Sequence, residues 1–451
     1  MRALRESADR TPPSRERYVD LLRALAICAV VLGHWLVSAI IEDQQGRPIG
    51  RSALESLPWA YPITWIVQVM PVFFIIGGYA NAASLIAHRD RGGDGVGWLQ
   101  DRSGRLVRPT TVLLTVLAVG AVVARVLRVD PEFVRMVVWV ASIPLWFLAA
   151  YLVVVAAAPL MERLHQRFGL RVIVVLVGLV ALGDTARLLG LELLGAGNFL
   201  FGWLAIHQVG FAWRDGRLPF RPRIWVPLML GGLAAALLLT VVGPYPVSMI
   251  DVGGRQPRNA SPPTLALLAV ATFQLGLLMA VRDPAERWLH RRRPWLTVVA
   301  LNSVVLTIFL WHMSAVVLLV GVLDALGVLP MPVVATTAWW LWRLPWLLLL
   351  TVVLLGLVTV FGPVEARSRR ARRRPLPAWL SRPLAGPVPR VLVTVAAYAA
   401  VIAGLVSNTV APRTGTYLVG LPAAGLAAYL VGASALRLLR SQPAPGRVFR
   451  D

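Results

Sequence analysis

Residues 21–41 read LLRALAICAVVLGHWLVSAII, an apolar run with a single charged side chain, Arg23. A helix needs about 20 apolar residues to cross a hydrocarbon core of about 30 Å, and this run has that length. Similar runs recur along the whole chain of 451 residues, of which 57% are hydrophobic and only 15% are charged. Soluble domains carry about 25% charged residues. The sequence therefore predicts a polytopic membrane protein rather than a set of soluble domains.

Twelve apolar runs are long enough to be membrane-spanning helices. The predicted spans are 21–41, 62–86, 109–127, 137–160, 171–188, 196–213, 225–243, 264–281, 296–320, 333–361, 391–408 and 417–436. The expected fold is an all-α helical bundle in the membrane, with a core of ten spans and two further spans at the C-terminal end.

The arginines predict how the chain is oriented. All 45 basic residues are arginine, and 34 of them lie in segments that share one side of the membrane with the N-terminus, against 10 on or near the other side. Cytoplasmic loops carry such an excess, so both termini are expected to be cytoplasmic. Topology accounts for the net charge of +23, and no nucleic-acid partner is needed. The use of arginine alone is typical of a GC-rich genome, which points to a bacterial plasma membrane.

A stretch rich in Arg and Pro separates the first ten predicted spans from the last two. The predicted organisation is a cytoplasmic segment at 1–20, a membrane core at 21–361, a cytoplasmic linker at 362–390, two further helices within 391–436 and a cytoplasmic tail at 437–451. Because no soluble catalytic domain is attached, any chemistry is expected in the spans or in their short loops.

The first span holds the strongest candidates for chemistry, since ionisable groups inside a membrane are costly. Arg23 and His34 are eleven residues apart, so they share a helix face and lie about 16 Å apart along its axis. Asp20 lies three residues before Arg23 and can pair with it. His34 is expected near the bilayer centre, where its imidazole is a candidate general base. A hydrogen bond to a neighbouring helix is the structural alternative.

Five short motifs follow one another in a recognisable order. They are DLLRALA at 20–26 with His34 at Arg-x10-His spacing, FFIIGGY at 73–79, RLVRP at 105–109, LWFL at 145–148 and IFLWH at 308–312. In this order they resemble the acyltransferase 3 family of integral-membrane acyltransferases, over about residues 15–361. Gly77 stands where that family usually has Ser, and the last two predicted spans exceed its usual ten.

The resemblance implies transfer of an acyl group, often acetyl, from acyl-CoA (acetyl-CoA) to a hydroxyl of a cell-envelope glycan, a glycolipid or a secondary metabolite. Acyl-CoA is then a co-substrate, and no tightly bound cofactor is expected. His34 would accept the hydroxyl proton, with Asp20 and Arg23 as its catalytic companions. CoA phosphates need arginine at the inner face, where the guanidinium groups of Arg23, Arg105 and Arg108 would bind them. Topology and contact with lipid headgroups are the alternative roles for Arg105 and Arg108.

Five further residues are candidates for contact with the substrate: His207, Trp146, Ser248, Asn259 and His312. Ser248 and Asn259 belong to the longest outer loop, 243–264, whose Gly, Pro, Asn and Ser content suggests a lid over the acceptor. A plain connecting loop is the alternative there, and hydrogen bonding between helices is the alternative for the two histidines. No Cys/His cluster has the spacing of metal ligands, so no metal is expected.

A secondary transporter of the major facilitator type is the rival interpretation. Twelve spans with both ends inside suit it, and residues 97–105, GWLQDRSGR, resemble its loop signature between the second and third spans. Such transporters repeat their halves, but the corresponding loop at 282–288 reads RDPAERW and lacks the pattern. The spacing of Arg23 and His34 also has no role in a transporter.

Overall fold

The structure, a computed structural model, describes residues 6, 11–12, 15–252, 258–370 and 386–440. Most of these residues lie in helices, and their β structure consists of one antiparallel hairpin and an isolated bridge. The chain is therefore a helical membrane protein, as its apolar runs predict. Most of the predicted N-terminal segment, linker and tail lies outside the described residues, and the predicted domain bounds stay predictions.

The longer helices are α1 (Arg17–Val37), α2 (Met70–Arg89), α3 (Gly95–Val126), α4 (Pro131–Ala141), α5 (Leu145–Phe168), α6 (Arg171–Leu188), α7 (Asn198–Arg214), α8 (Pro222–Leu237), α9 (Leu265–Leu289), α10 (Arg292–Ser303), α11 (Val305–Ala325), α12 (Thr337–Arg370), α13 (Pro387–Val410) and α14 (Ala423–Leu439). The shorter elements are the strands β1 (Ser38–Glu42) and β2 (Pro48–Ser52), a π-helical turn at Leu238–Val242, and helical turns at Ala53–Ser56, Pro58–Ile63, Thr64–Val67 and Glu192–Gly195.

Nine helices in the described part of the chain are long and apolar enough to cross a membrane, and each overlaps one of the twelve predicted spans. The other three predictions, at 171–188, 196–213 and 417–436, correspond to α6, α7 and α14. These helices are 18, 17 and 17 residues long, near the lower limit for a span. The count of twelve spans therefore stays a prediction.

The predicted C-terminal bound of the first span is wrong, because α1 ends at Val37 rather than Ile41. The next residues form β1, which pairs with β2 from Ser38↔Ser52 to Glu42↔Pro48. Both the N–H and the hydroxyl of Ser38 donate to the carbonyl of His34, which caps the helix. A hydrophobic run cannot reveal this change, because apolar residues suit a strand as well as a helix.

Two other predicted spans are each divided between two of the longer helices. The span 137–160 divides between α4 and α5 at a turn ending in Pro144, which restricts the residue before it to non-helical backbone. The span 296–320 divides at Val304, where φ is −128°. Beyond that break, Glu365 accepts hydrogen bonds from the N–H and the hydroxyl of Thr307 at 2.9 Å and caps the new helix α11. This cap involves residues far apart in sequence, so local patterns do not predict it.

The chain divides into two compact units, and the first comprises Met1–Ala83, Ala157–Val305 and Pro330–Leu347. In it α8 packs along α9, α6 packs along α7, and α1 contacts α9 and α10. The helices α2 and α7 approach closely at Gly78, where a Cβ would lie 2.0 Å from the backbone oxygen of His207. Only glycine permits this approach.

The second unit comprises Ser84–Ala156, Leu306–Leu329 and Leu348–Asp451. Its helices α13 and α14 pack against each other, and both contact α3. The hydroxyls of Tyr398 and Tyr429 each donate to a backbone carbonyl of α3 at 2.9 Å. The last two helices are therefore packed into this unit rather than attached to it only through the linker.

A buried arginine fixes the connection between α13 and α14. The side chain of Arg135, on α4, is fully buried. Its guanidinium donates to the side chain of Asn408 at 2.9 Å and to the backbone oxygens of Pro412 and Gly420 at 3.0 and 3.2 Å. It also lies 5.1 Å from the ring centre of Tyr417. Such a charge is tolerated in a low-dielectric interior because its donors are satisfied.

Replacing Arg135 with alanine should destabilise the second unit by about 3–5 kcal/mol. The reason is that the Asn408 side chain and the Gly420 carbonyl lose their donor inside the protein. The measurement is thermal unfolding in detergent, together with proteolysis of the α13–α14 connection. Arg413→Ala is the matched control, because exposed Arg413 contributes only a contact over the Trp139 ring, worth about 1 kcal/mol. Equal unfolding temperatures for Arg135→Ala and the control would contradict this assignment.

Candidate functional site

The first turn of α1 holds a buried carboxylate between two arginines. Asp20 is 5% exposed, and it accepts hydrogen bonds from Arg15 at 2.6 Å and from Arg23 at 3.1 Å. An acidic side chain in the first helical turn is also favoured by the helix dipole. Asp20 and Arg23 therefore form the ion pair that their spacing predicts. Arg23 is held at the beginning of α1, and the role of the pair stays a prediction.

Contacts with α9 fix where α1 begins. The N–H of Tyr18 donates to Glu286 and its hydroxyl donates to the carbonyl of Leu278, both at 2.8 Å. Arg17 donates to the carbonyl of Leu289 at 2.9 Å. Three hydrogen bonds from two successive residues leave α1 little freedom to rotate or slide. The side chains further along α1 are therefore held at fixed positions in the first unit.

His34 is half-buried in the last turn of α1. Its Nδ1 lies 3.0 Å from the carbonyl of Val30 and acts as the donor, because a carbonyl can only accept. In the neutral imidazole, Nε2 then carries the lone pair. The neighbouring Trp35 is fully buried, and its carbonyl accepts a hydrogen bond from the Trp346 indole at 3.0 Å. The end of α1 is thus anchored beside His34.

His207 is fully buried on α7 and contacts α2. Its Nε2 lies 3.0 Å from the side-chain nitrogen of Asn81, and its ring meets the ring of Phe211 edge-on at 5.1 Å. This is the hydrogen bond between helices that the sequence offers as the alternative to a substrate contact. The geometry favours that structural role, and a contact with the acceptor stays a prediction.

Ser248 and Asn259 come together in the loop 243–264, the predicted outer loop, where the Asn259 side chain organises the backbone. Its amide nitrogen donates to the carbonyls of Pro246 and Ser248 at 2.7 and 2.9 Å. Its oxygen accepts from the hydroxyl of Thr264 at 2.9 Å. These bonds shape the loop, and a contact of Ser248 or Asn259 with the substrate stays a prediction.

Asp184 is a buried carboxylate to which none of the sequence motifs points. It is buried on α6 and accepts hydrogen bonds from the Tyr245 hydroxyl at 2.7 Å, the Leu265 N–H at 2.8 Å and the Asn198 side chain at 2.9 Å. Tyr245 lies at the beginning of the outer loop and Leu265 follows its end, so one carboxylate holds both ends. Burial and the bond to Asp184 raise the pKa of Tyr245, which keeps its hydroxyl a donor. The sequence does carry one signal for Asp184, because an acidic residue within a predicted span such as 171–188 is rare.

Replacing Asp184 with alanine should release both ends of the outer loop. Three donors lose a charged acceptor at once, so we expect a loss of stability of about 3 kcal/mol or more and faster hydrogen exchange across residues 243–264. Asp184→Asn should cost less, because an amide oxygen can still accept from Tyr245 and Leu265. The control is Asp324→Ala, since Asp324 is exposed on α11. Exchange in the loop that is unchanged in Asp184→Ala would contradict this role.

The second unit carries the arginines predicted to bind CoA. Arg105 and Arg108 lie one turn apart on α3, and both are exposed. Residues three apart on a helix are neighbours on one face, so the two guanidinium groups can act on one ligand. Trp146 is half-buried in the first turn of α5.

Two of the five family motifs meet in this second unit. His312 is fully buried on α11, with Nδ1 2.6 Å from the carbonyl of Phe309. The ring of Phe309 contacts the Phe147 ring edge-on at 5.3 Å, which joins the motif at 308–312 to the motif at 145–148. The local sequence does not reveal this contact, since the two rings belong to residues 162 positions apart in the chain.

The structure groups the predicted residues by unit. The first unit contains Asp20, Arg23, His34, His207, Ser248 and Asn259, and the second contains Arg105, Arg108, Trp146 and His312. Within the described part of the chain, no three or more His, Cys, Asp or Glu side chains form a group that could hold a metal ion.

Comparison with known protein families establishes the class of the protein. The model of the acyltransferase 3 family, described as an acyltransferase domain, matches residues 16–364, which is more than half of the chain and includes all five motifs. No curated protein and no solved structure matches the chain. The fold and the match together define a multi-pass membrane acyltransferase. The chain belongs to the acyltransferase 3 family, as the motifs predict.

Proposed function

We propose that the protein transfers an acyl group, typically acetyl, from acyl-CoA to a hydroxyl of a cell-envelope glycan, a glycolipid or a secondary metabolite. The match of the acyltransferase domain to residues 16–364 carries this proposal. The acceptor oxygen bonds to the thioester carbonyl carbon, and the carbon–sulfur bond breaks. CoA leaves as a thiolate that takes up a proton, and the ester remains on the acceptor.

In this mechanism His34 is the general base. The bond from its Nδ1 to Val30 presents Nε2 as the nitrogen that accepts the proton of the attacking hydroxyl. The contacts of α1 with α9 and the anchoring of Trp35 hold the imidazole in place. A positioned base of this kind accelerates proton transfer by about 10²–10⁴-fold.

Arg23, Arg105 and Arg108 are proposed to bind the phosphates of acyl-CoA. A planar guanidinium offers paired donors that match phosphate oxygens. Asp20 holds Arg23 in place through their ion pair, and Arg105 and Arg108 are exposed on a common face of α3. Because CoA is a cytoplasmic, highly charged molecule, this role fits the proposed orientation, in which both termini face the cytoplasm of a bacterial cell.

The transporter alternative is not favoured. The family match supports an acyltransferase, and the residues of the transporter-like motif have structural roles in the second unit. The N–H of Gly97 donates to Asp94, which caps α3, and a Cβ on Gly104 would lie 2.2 Å from the Arg440 guanidinium. Asp101 lies 3.7 Å from Arg440. Helix capping and packing against α14 thus account for this motif.

Replacing His34 with alanine should lower single-turnover acyl transfer by about 10²–10⁴-fold and leave acyl-CoA affinity nearly unchanged. Proton acceptance is lost, while the imidazole lies about 16 Å along the helix from Arg23. Cys28→Ala is the matched control in the same helix and should retain full turnover, because no step uses the thiol. Wild-type turnover in His34→Ala would overturn the assignment and make His312 or His207 the better candidate.

Replacing Arg23 with alanine should weaken acyl-CoA binding and turnover together. One charge-assisted contact to a phosphate contributes about 1.5–3 kcal/mol, which corresponds to a roughly tenfold to hundredfold loss of affinity. The measurement is equilibrium binding of acetyl-CoA to the folded variant in detergent. Arg51→Ala in β2 is the control, since the exposed Arg51 side chain pairs with Glu55 in the helical turn that follows the hairpin. Unchanged acetyl-CoA affinity in Arg23→Ala would exclude the donor-binding role.

A further inference from the structure

A cavity of about 240 Å³ opens beside the outer loop in the first unit. At about 30 Å³ per water molecule, it has room for roughly eight waters or one small organic ring. The residues that line it are Tyr61, Pro246, Val247, Ser248, Ile250, Asp251, Val252, Arg258 and Asn259. No step of the proposed mechanism uses Tyr61, Asp251 or Arg258.

Hydrogen bonds to the segment before α2 hold one wall of the cavity in shape. The Trp65 indole donates to the carbonyl of Val247 at 2.7 Å, and Gln68 donates to the carbonyl of Met249 at 2.9 Å. The N–H of Met249 donates to the hydroxyl of Thr64 at 2.9 Å. A site that is formed before its ligand arrives saves the cost of ordering it on binding.

Two polar groups in the lining are buried and unsatisfied. The hydroxyl of Tyr61 and the Nε of Arg258 have no hydrogen-bond partner among the described residues. A buried polar group without a partner costs about 1–3 kcal/mol, and two such groups line this one cavity, where a ligand or ordered water can satisfy both. Both groups can donate, which requires oxygen acceptors on the ligand.

The charged side chains of the cavity favour an uncharged ligand among those that carry oxygen acceptors. The Arg258 guanidinium and the Asp251 carboxylate lie 3.6 Å apart. A cationic donor and an anionic acceptor therefore both line the cavity. An anion would be attracted by Arg258 but repelled by Asp251, whereas a hydroxyl can donate to the carboxylate and accept from the guanidinium. Pro246, Val247 and Ile250 add apolar surface for the carbon–hydrogen face of a ring.

We propose that this cavity binds an uncharged sugar or cyclic polyol, with Tyr61 and Arg258 as hydrogen-bond donors and Asp251 as the acceptor of a ligand hydroxyl. The inference rests on the proposed function, in which such a hydroxyl compound receives the acyl group. The proposal adds the place where the acceptor binds. It also adds a charge preference, because the part of the acceptor that enters the cavity should carry no anionic group.

The test measures binding of methyl glycosides of glucose, galactose, mannose and rhamnose to the full chain in detergent, with glucuronic acid as the anionic probe. At least one glycoside should bind saturably and about tenfold more tightly than glucuronic acid. Tyr61→Phe should weaken glycoside binding by a few fold, and Asp251→Asn should reduce or abolish the preference over glucuronic acid. Arg47→Gln is the control, because Arg47 pairs with Asp43 on the hairpin outside the cavity.

Failure to bind any of the four glycosides would overturn the site, and so would tighter binding of glucuronic acid. Glycoside binding that is unchanged in both Tyr61→Phe and Asp251→Asn would also overturn it. Acyl transfer is measured in parallel, so the two claims can fail separately. Transfer to an acceptor without glycoside binding would refute the cavity and leave the acyltransferase proposal standing. The opposite outcome is that His34→Ala still binds glycosides while the wild type transfers no acyl group. This outcome would support the binding site and refute the proposed function.

Discussion

A charged side chain buried away from water must find its partners inside the protein, and this constraint organises both units. Asp20, Asp184 and Arg135 are each at most 5% exposed, and each is surrounded by hydrogen-bonding groups from other parts of the chain. Leaving any of them unpaired would cost several kcal/mol, so their partners are fixed along with them. The result is that charges hold the beginning of α1, the outer loop and the connection between α13 and α14.

The same constraint explains which features the sequence predicts. The apolar runs predict the spanning helices because length and hydropathy are local properties. The ion pair of Asp20 with Arg23 is also local, since the two residues are three apart on a helix. The end of α1 at Val37 and the break at Val304 are not predictable in this way. Both depend on caps, a strand pairing or a carboxylate contributed by residues that follow later in the chain.

Some features of the candidate site can likewise be predicted from local sequence, and others cannot. The helix with Asp20, Arg23 and His34 can be recognised from spacing and from its likeness to one family, and the family match confirms the membership. The contact of His207 with Asn81 joins residues 126 positions apart, and the three bonds of Asp184 join residues up to 81 apart. No pattern in a single sequence encodes such pairs, so the support of the outer loop becomes visible only in the structure.

We propose that this membrane protein esterifies a hydroxyl with the acyl group of acyl-CoA. The most direct measurement incubates the purified chain with radiolabelled acetyl-CoA and an extract of cell-envelope glycolipids, glycans and secondary metabolites, then treats the labelled product with mild base. We expect label in the acceptor fraction that mild base releases, as an ester requires, and one free CoA for each acetyl group transferred. Accumulation of an acceptor compound in sealed vesicles without acetyl-CoA, and with no labelled ester, would contradict it and favour transport.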